Sequence, residues 1–371
     1  MEDLEISQLF KSVYKGKNVL ITGHTGFKGS WLSLWLQKLG AKVVGFSLPA
    51  HTSPAHCELI QQGTESYLGN ISDKVAFQNI VQKTKPDIIF HLAAQALVRD
   101  SYRNPSLTYE TNVIGTLNIF EAIRNTPGVK ALVNVTTDKV YDNKEWHWPY
   151  RETDALGGYD LYSSSKACSE LLTASYRNSF FHADAYGVKH QLLIATARAG
   201  NVIGGGDWAL DRLIPDMVRA TAKNEVVEIR SPKSVRPWEH VLEPLAGYLL
   251  LGQKLLEGRK DFAEAWNFGP DSTHFLTVED ILNKANGLWP KMQWASHVDA
   301  LNFHEAKILK LDCAKAHAEL EWKPVWNMEE TLQHTIEWYR NYYENGIVNT
   351  ESDLHAFVRK AVQEKSSWTI L

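Results

Sequence analysis

The sequence predicts an α/β protein, with a Rossmann-type doubly wound parallel sheet followed by a smaller C-terminal domain. Three observations predict this fold. An apolar run leads directly into glycines at Gly23, Gly26 and Gly29. Short apolar runs then alternate with helix-like patterns, which is typical of parallel sheets. Further along, the pattern changes to a glycine-rich loop, scattered prolines and short helical patches. We therefore expect a nucleotide-binding domain at 1–200 and a substrate-binding domain at 201–371.

The composition excludes several classes of protein. With 371 residues, 44% of them hydrophobic and 22% charged, the chain is long and apolar enough to form a globular core. A net charge of -4 argues against partners held by bulk positive charge, so we expect neither nucleic acid nor a membrane surface. No apolar run approaches the roughly 18 residues that a membrane helix needs.

The three cysteines favour a reducing compartment. Cys57, Cys168 and Cys313 are far apart and lack C-x-x-C spacing, so we expect free thiols and no metal site. The sequence therefore predicts a cytoplasmic protein.

The first chemical signal is the stretch 18–31, which reads as a strand, a tight turn and a helix. Glycines in such a turn let backbone N–H groups and the positive end of the helix dipole approach a pyrophosphate. An ordinary strand-to-helix turn uses the same residues. The spacing G-x-x-G-x-x-G nevertheless favours the nucleotide-binding interpretation.

The second strand, 41–47, ends in a departure from the usual dinucleotide-binding pattern. An acidic residue normally contacts the adenosine ribose there, but this chain has Ser47. The choice between NAD and NADP therefore stays open at this point. Lys28, inside the glycine turn, either meets a 2'-phosphate or is solvated.

Four further strands follow in order. The third, near 66–73, contains Asn70, whose amide can both donate and accept hydrogen bonds. The fourth, 86–94, ends in small residues, which suits a backbone that passes close to a cofactor. The fifth and sixth are expected at 131–135 and 191–195, and the stretch near 265–270 is predicted to return to the sheet.

Tyr162 and Lys166 carry the strongest catalytic signal. They are four residues apart and share one face of a predicted helix. A neighbouring ammonium group lowers the pKa of a phenol, so we expect Tyr162 to be a usable base near neutral pH. A chance surface pair is the alternative. The preceding strand that ends in Thr-Thr-Asp at 136–138 counts against it.

With these motifs, the chain resembles the extended short-chain dehydrogenase/reductase family. The resemblance implies that Tyr162 takes a proton from a sugar hydroxyl, that Thr137 holds the same oxygen, and that Lys166 binds the nicotinamide ribose. It also suggests that Asn112 supports the active site, although a cap or surface role is equally compatible with the sequence. The implied cofactor is NAD, bound by Gly23, Thr25, Gly26, Phe27, Lys28, Gly29, Ser47, Asn70, Ile71, Leu92, Ala93, Ala94, Tyr162 and Lys166.

Asp138 and Lys139 indicate that the reaction goes beyond oxidation. The triplet Thr-Asp-Lys at 137–139 resembles the CDP-glucose branch of the sugar-nucleotide 4,6-dehydratases. Asp138 is then the acid that releases water from C6, which requires a pKa raised by burial. Lys139 either removes the C5 proton as a neutral amine or only neutralises Asp138 or the enolate, with water or Tyr162 as the base.

Binding of the sugar nucleotide is also implied by resemblance. Guanidinium groups are natural partners of a diphosphate, which favours a binding role for the arginines. For Trp208, Trp238 and His240, simple packing is an equally compatible interpretation. The expected substrate-binding residues are Arg99, Ser101, Tyr102, Asn201, Arg212, Arg236 and His240.

The implied activity is conversion of CDP-glucose to CDP-4-keto-6-deoxyglucose, a hydro-lyase step towards the deoxysugars of surface polysaccharide such as O-antigen. Alternatives are a sugar-nucleotide 4-epimerase, a dehydratase of another nucleotide hexose, and a catalytically silent nucleotide-binding scaffold. The resemblance further implies a homodimer, formed by the helix that carries Tyr162 and the helix at 112–124.

Overall fold

Eleven strands and thirteen helices are found in the computed structural model, which describes residues 5–60, 63–270, 276–296 and 308–370. The strands are β1 (Asn18–Thr22), β2 (Lys42–Ser47), β3 (Glu65–Leu68), β4 (Ile88–His91), β5 (Ala131–Val135), β6 (Leu193–Ala199), β7 (Asn201–Ile203), β8 (Val227–Ile229), β9 (Trp238–His240), β10 (Ala265–Phe268) and β11 (Trp294–Ser296). The helices are α1 (Phe27–Lys38), α2 (His56–Leu59), α3 (Lys74–Thr84), α4 (Val98–Arg103), α5 (Pro105–Tyr109), α6 (Gly115–Arg124), α7 (Leu161–Ser179), α8 (Leu213–Ala222), α9 (Leu242–Leu256), α10 (Val278–Leu288), α11 (Ala314–Ala318), α12 (Met328–Asn345) and α13 (Thr350–Gln363).

Seven parallel strands form the main sheet, in the order β10-β6-β5-β4-β1-β2-β3. Helices on both faces bury its central strands, which explains why β1, β4, β5 and β6 are almost continuously apolar. The order reverses between β1 and β4, and ligands bind at such a switch point in doubly wound sheets. The predicted fold class is confirmed.

The predicted return to the sheet is also confirmed. Strand β10 pairs in parallel with β6, with Ala265 opposite Thr196 and Phe268 opposite Ala199. Helix α9 packs against β5 and β6, so part of the chain after residue 200 completes the first layer. The expected division into 1–200 and 201–371 stays a prediction.

Several elements after residue 200 form a smaller unit, whereas α11 and α13 pack in the first core. Two short parallel pairs, β7 with β9 and β8 with β11, lie in this part of the chain. A second apolar core joins them to α8, α10 and α12 through residues that include Met217, Trp238, Ile281 and Trp338. This unit forms the wall opposite the glycine turn.

The N-terminal segment is an interrupted turn structure rather than one regular helix. A 3₁₀ segment, Ile6–Ser12, is interrupted at Phe10 and Lys11, where φ is +52°. The interruption directs Phe10 into the core, where its ring stacks on that of Trp368 at a centroid distance of 5.2 Å.

Candidate active site

The glycine turn after β1 is shaped by close backbone approaches. Gly23 has φ of +78°, and a Cβ there would lie 2.8 Å from the backbone nitrogen of Ala93. A Cβ on Gly29 would lie 2.1 Å from the Gly23 carbonyl oxygen. At Gly26 the nearest atom would be that same oxygen, at 3.3 Å. Gly23 and Gly29 therefore allow the turn to close, and Gly26 keeps its outer side open at the start of α1.

A cleft of about 820 Å³ lies above this turn, near the upper end of the usual range for ligand pockets. Every residue that the resemblance assigned to the cofactor lines it. Thr137, Lys139, Arg99, Asn201, Arg212 and Arg236 line the same cleft. The structure thus brings most of the predicted site together at the switch point of the sheet.

The end of β2 forms a neutral, hydroxyl-lined part of the cleft. The hydroxyl oxygens of Thr25 and Ser47 lie 2.7 Å apart, and Thr25 also donates to the carbonyl of Leu48 at 2.9 Å. The side-chain oxygen of Asn70 accepts from the backbone N–H of Ser72 at 2.9 Å. These groups offer hydrogen bonds, rather than a charge, to a ribose.

The side chain of Lys28 extends from α1 towards α9. Its Nζ is 6.0 Å from the ring centre of Tyr248 on α9. Burial lowers the pKa of Lys28 to about 8, and the nearby charges that act on it include Glu239 and Asp138. The side chain is therefore desolvated, which argues against a solvated lysine. Lys28 also lines the cleft, and its contact with a 2'-phosphate stays a prediction.

The end of β5 presents a carboxyl group that is fully buried. Thr137 donates to Oδ1 of Asp138 at 2.9 Å, and Lys139 Nζ lies 3.5 Å from the same oxygen. Asp138 has no exposed surface, and its Oδ2 has no hydrogen-bond partner in the described parts of the chain. Lys139 remains partly exposed and lines the cleft. The strand end therefore combines a buried carboxyl with a lysine that lines the cleft.

Helix α7 carries Tyr162 and Lys166 into the cleft, and its first turn is capped by Asp160, which accepts from Ser163 N at 2.9 Å. Lys166 donates to the carbonyl of Val135 at 3.1 Å. Burial, together with the charge of Lys28, lowers the pKa of Lys166 to about 8.

The expected low pKa of Tyr162 is not found, because burial raises the pKa of its phenol to about 12. The positive charge of Arg212 and the neighbouring Thr137 hydroxyl act in the opposite direction. The sequence had predicted a pKa lowered by Lys166. In the structure, desolvation of the phenolate is the larger effect, and Arg212 is the cation that opposes it.

Asn112 supports the loop that follows β4. Its side-chain oxygen accepts from Gln95 N at 2.9 Å, and its amide donates to Ser165 Oγ on α7, also at 2.9 Å. The side chain is buried. Asn112 therefore ties the loop to the helix of Tyr162, as the resemblance implied, and a surface role is excluded.

The far end of the cleft is rich in arginine. Arg212 lies 3.3 Å from Asp207 Oδ2, and Arg99 lies 3.8 Å from Asp211 Oδ1. Asn201 also lines the cleft, and its side-chain oxygen has no partner among the described residues. This end offers guanidinium and amide groups that suit a diphosphate.

Three expected substrate contacts, Ser101, Tyr102 and His240, are absent from the cleft lining, and two of them are turned into the protein interior. The buried hydroxyl of Ser101 donates to the Val98 carbonyl at 2.6 Å, within its own helix. The ring of His240 is buried between Trp31 and Trp326, at centroid distances of 6.0 and 4.6 Å. Both predictions are corrected, because these side chains serve packing.

Two other aromatic residues, Tyr102 and Trp208, stand next to residues of the cleft lining without belonging to it. Tyr102 lies outside the cleft lining, near the charge of Asp160, and its contact with substrate stays a prediction. Trp208 packs edge-on against Trp338 at 5.7 Å, as its packing interpretation expected.

Glu239 and Tyr248 were missed by the sequence analysis. Glu239 stands between two aromatic residues of β9, and Tyr248 lies inside the apolar helix α9. Both are buried behind the cleft near Asp138, Lys28 and Tyr162. The sequence signal for these two residues was only that a glutamate and a tyrosine stand among apolar and aromatic neighbours.

The fold and the site together define a dinucleotide-binding α/β protein of the short-chain dehydrogenase/reductase type, with a tyrosine–lysine pair above its glycine turn. Comparison with known proteins narrows this class. The chain matches the family model described as GDP-mannose 4,6 dehydratase over residues 20–335, and it belongs to this family.

Individual relatives agree with this assignment. The chain is 49% identical to CDP-glucose 4,6-dehydratase of Salmonella typhimurium over 89% of its own length and 92% of that protein. It is 26% identical to UDP-glucose 4-epimerase of Mycoplasma genitalium, covering 88% and 97% of the two chains. Among solved structures, dTDP-glucose 4,6-dehydratase of Bacillus anthracis in complex with NAD is similar with a TM-score of 0.71, 24% identity, and coverage of 89% and 98%.

Proposed function

We propose that this protein is an NAD-dependent hydro-lyase that converts CDP-glucose to CDP-4-keto-6-deoxyglucose. The observation that carries the proposal is that Tyr162 and Lys139 line one cleft, and that the fully buried Asp138, beside this lining, lies 3.5 Å from Lys139 Nζ. The 49% identity to a CDP-glucose 4,6-dehydratase over nearly the whole chain supports the same substrate.

The residues of the glycine turn fit NAD. The open side of Gly26, the hydroxyl pair of Thr25 and Ser47, and the small residues after β4 provide a backbone-lined surface for a pyrophosphate and its riboses. NAD held there would supply the hydride chemistry that C4 oxidation and C6 reduction of the sugar need. The neutral end of β2 carries no cation for a 2'-phosphate, which favours NAD over NADP.

Tyr162, Thr137 and Lys166 provide the chemistry at C4. The phenol of Tyr162 takes the proton of the C4 hydroxyl, and the Thr137 hydroxyl holds the same oxygen. Lys166 contributes positive charge and a donor for the nicotinamide ribose. Because burial raises the pKa of the phenol, nearby positive charge is needed to stabilise the phenolate that acts as the base.

Asp138 and Lys139 provide the chemistry at C5 and C6. Once C4 is a ketone, the C5 hydrogen is acidic, and a proton delivered to O6 lets that oxygen leave as water. Asp138 delivers the proton. The 3.5 Å ion pair with Asp138 favours Lys139 as an ammonium that stabilises the enolate, rather than as the C5 base.

The nucleotide half of the substrate lies at the arginine-rich end. Arg212 and Arg236 are suited to the diphosphate, and Asn201 offers an unused amide oxygen in that region. Arg99 stands at the same end, where its present partner is Asp211.

The assembly and the cellular role are further parts of the proposal. A homodimer built on α7 and α6 is supported by Leu171, which exposes 58% of its surface on α7. A cytoplasmic location is supported by three free cysteines, and the product suits the synthesis of O-antigen or other surface deoxysugars. Among the described residues no helix is long and apolar enough to cross a membrane.

The test is incubation of the purified protein with CDP-glucose, followed by mass analysis of the product. We expect loss of one water from the sugar, formation of a 4-ketone, and no accumulation of NADH. A product of unchanged mass with inverted C4 identifies a 4-epimerase instead. The epimerase needs Tyr162 and Lys166 but has no use for Asp138. An unchanged substrate indicates a silent scaffold, and parallel incubations with UDP- and dTDP-glucose test the base preference.

A further inference from the structure

Asp211 lies between two arginines at the arginine-rich end of the cleft. Its Oδ1 is 3.8 Å from Nε of Arg99 and 3.9 Å from Nη2 of Arg230. All three residues line the cleft, and each side chain keeps between 26% and 30% of its surface exposed. A negative group therefore already occupies the place where these two guanidinium groups converge.

The two arginines come from different parts of the fold. Arg99 belongs to α4, which follows β4 of the main sheet. Arg230 directly follows β8, whose Ile229 packs in the core of the smaller unit, and it was not among the expected substrate-binding residues. Because both guanidinium groups contact one oxygen atom, a single small anion at that point can meet both. A diphosphate offers several such oxygens.

The other carboxylates at this end of the cleft have firmer anchors. Asp207 is buried, its Oδ1 accepts a backbone N–H at 3.0 Å, and its Oδ2 lies 3.3 Å from Arg212. Asp216 pairs with an arginine of its own helix. The contacts of Asp211 with its arginines exceed the roughly 3 Å of a charge-assisted hydrogen bond. Its carboxylate is therefore the one most easily exchanged for another anion.

On the basis of the proposed function, we propose that Asp211 occupies the place of a substrate phosphate in the ligand-free cleft, and that Arg99 and Arg230 exchange this carboxylate for the diphosphate of the nucleotide sugar. The carboxylate and the substrate compete for the same two cations. Since the product carries the same diphosphate, the return of Asp211 to the arginines favours product release.

The decisive variant is Asp211→Asn, which removes the charge and keeps the size of the side chain. Residue 211 has φ of +58°, and asparagine tolerates this left-handed conformation as well as aspartate does. Asp261→Asn is the matched control, because Asp261 pairs with Arg259 at 2.7 Å outside the cleft lining. Arg230→Gln tests the arginine, with Arg259→Gln as its control. Thermal unfolding establishes that all four variants fold.

The first measurement is calorimetric titration with CDP, which needs no turnover. We expect Asp211→Asn to bind CDP about 3- to 10-fold more tightly than the wild type, because two partly exposed ion pairs no longer compete with the ligand. Arg230→Gln should bind CDP about 10-fold more weakly, and both control variants should match the wild type. Unchanged or weaker binding by folded Asp211→Asn overturns the proposal, since the carboxylate would then only position the arginines. Wild-type affinity in Arg230→Gln overturns it as well.

The second measurement uses the double variant Asp211→Asn/Arg230→Gln. The gain in CDP affinity from Asp211→Asn should be smaller when Arg230 is absent, because one of the two cations that the carboxylate occupies is gone. An equal gain in both backgrounds would show that Asp211 acts through the general charge of the cleft. That result overturns the exchange at Arg230.

Inorganic pyrophosphate separates this proposal from the proposed function, because it carries the diphosphate without the base and the sugar. The same order of affinities is expected among the variants. If pyrophosphate follows that order but the wild type does not bind CDP, the exchange stands and the proposed nucleotide substrate is wrong. If neither ligand binds more tightly to Asp211→Asn than to the wild type, the proposal fails whatever the activity of the enzyme.

Discussion

Arg198 and Glu170 form a two-pronged ion pair directly beneath the catalytic end of β5. The Nε and Nη2 atoms of Arg198 donate to the two carboxyl oxygens of Glu170, each at 2.9 Å, and both side chains are almost fully buried. Thr136 and Thr196 donate to the same carboxylate. The pair therefore joins β5, β6 and α7, the three elements that position Thr137 and Tyr162.

Removal of one partner of this pair is expected to lower the unfolding free energy strongly. Glu170→Ala leaves the Arg198 charge buried without compensation, which costs about 3–5 kcal/mol of unfolding free energy. Burial alone would raise the pKa of Glu170, but Arg198 holds it below its usual value. This contribution is therefore present at neutral pH and is lost as the pH falls through the lowered pKa.

Denaturant unfolding at neutral pH measures this cost. Glu351→Ala is the control, because the Lys38–Glu351 pair, at 2.7 Å, is exposed and worth under about 1 kcal/mol. Equal losses in the two variants would contradict the structural role given to the buried pair.

Tyr162→Phe is expected to lower kcat by at least about 100-fold, because the proposed mechanism assigns the C4 hydroxyl proton to this phenol. Calorimetric titration with CDP should show little change, since the arginine-rich end is untouched. Tyr176→Phe makes the same change on the same helix, where the hydroxyl donates to Glu121 at 2.9 Å away from the cleft. A fully active Tyr162→Phe protein would remove the phenol from the mechanism.

Lys139→Met separates the two roles of Lys139. If the lysine is an ammonium partner of Asp138, turnover slows, but deuterium from solvent still enters the C5 position of the product. Mass and NMR analysis of product formed in D₂O gives the answer. A folded Lys139→Met protein that still forms NADH from CDP-glucose, but neither eliminates water nor exchanges the C5 hydrogen, would make Lys139 the base after all.

His56 gives a stability prediction with a defined pH window. Its ring nitrogens lie 2.7 Å from Ser30 Oγ and 2.8 Å from Thr350 Oγ1, and burial lowers its pKa to about 3. Since the folded pKa lies below the unfolded value of 6.5, the contribution is complete above pH 6.5 and is lost as the pH falls towards 3.

His56→Gln removes this titration. Between pH 6 and 4, the unfolding free energy of the wild type should fall more steeply than that of the variant, by about 1 kcal/mol per pH unit. Other buried histidines, such as His91, are present in both proteins and cancel in the comparison. Parallel slopes would show that His56 is not held neutral in the fold.

The parts of the fold that were predictable are those dictated by local patterns. The buried strands are continuous apolar runs, and the glycines of the turn are required by backbone contacts as short as 2.1 Å. Tyr162 and Lys166 could be paired because helical spacing alone places them on one face. For these residues, sequence neighbours determine the geometry.

The errors concern side chains whose environment comes from distant parts of the chain. His240 is buried by Trp31 and Trp326, and Ser101 turns back into its own short helix. The pKa of Tyr162 depends on burial and on Arg212, fifty residues away along the chain. The burial of Glu239 could not be predicted, because nothing local shows that β9 is covered by α9 and α12.

The aromatic cluster behind α1 has a consequence for how the protein is made. Phe10, Trp35 and Phe357 all pack against Trp368, with centroid distances between 5.2 and 6.0 Å. Two of these rings emerge from the ribosome long before the other two. The apolar face of α1 that carries Trp35 is therefore fully covered only after translation has passed residue 368. A nascent chain that stops earlier exposes this apolar surface to chaperones and proteases.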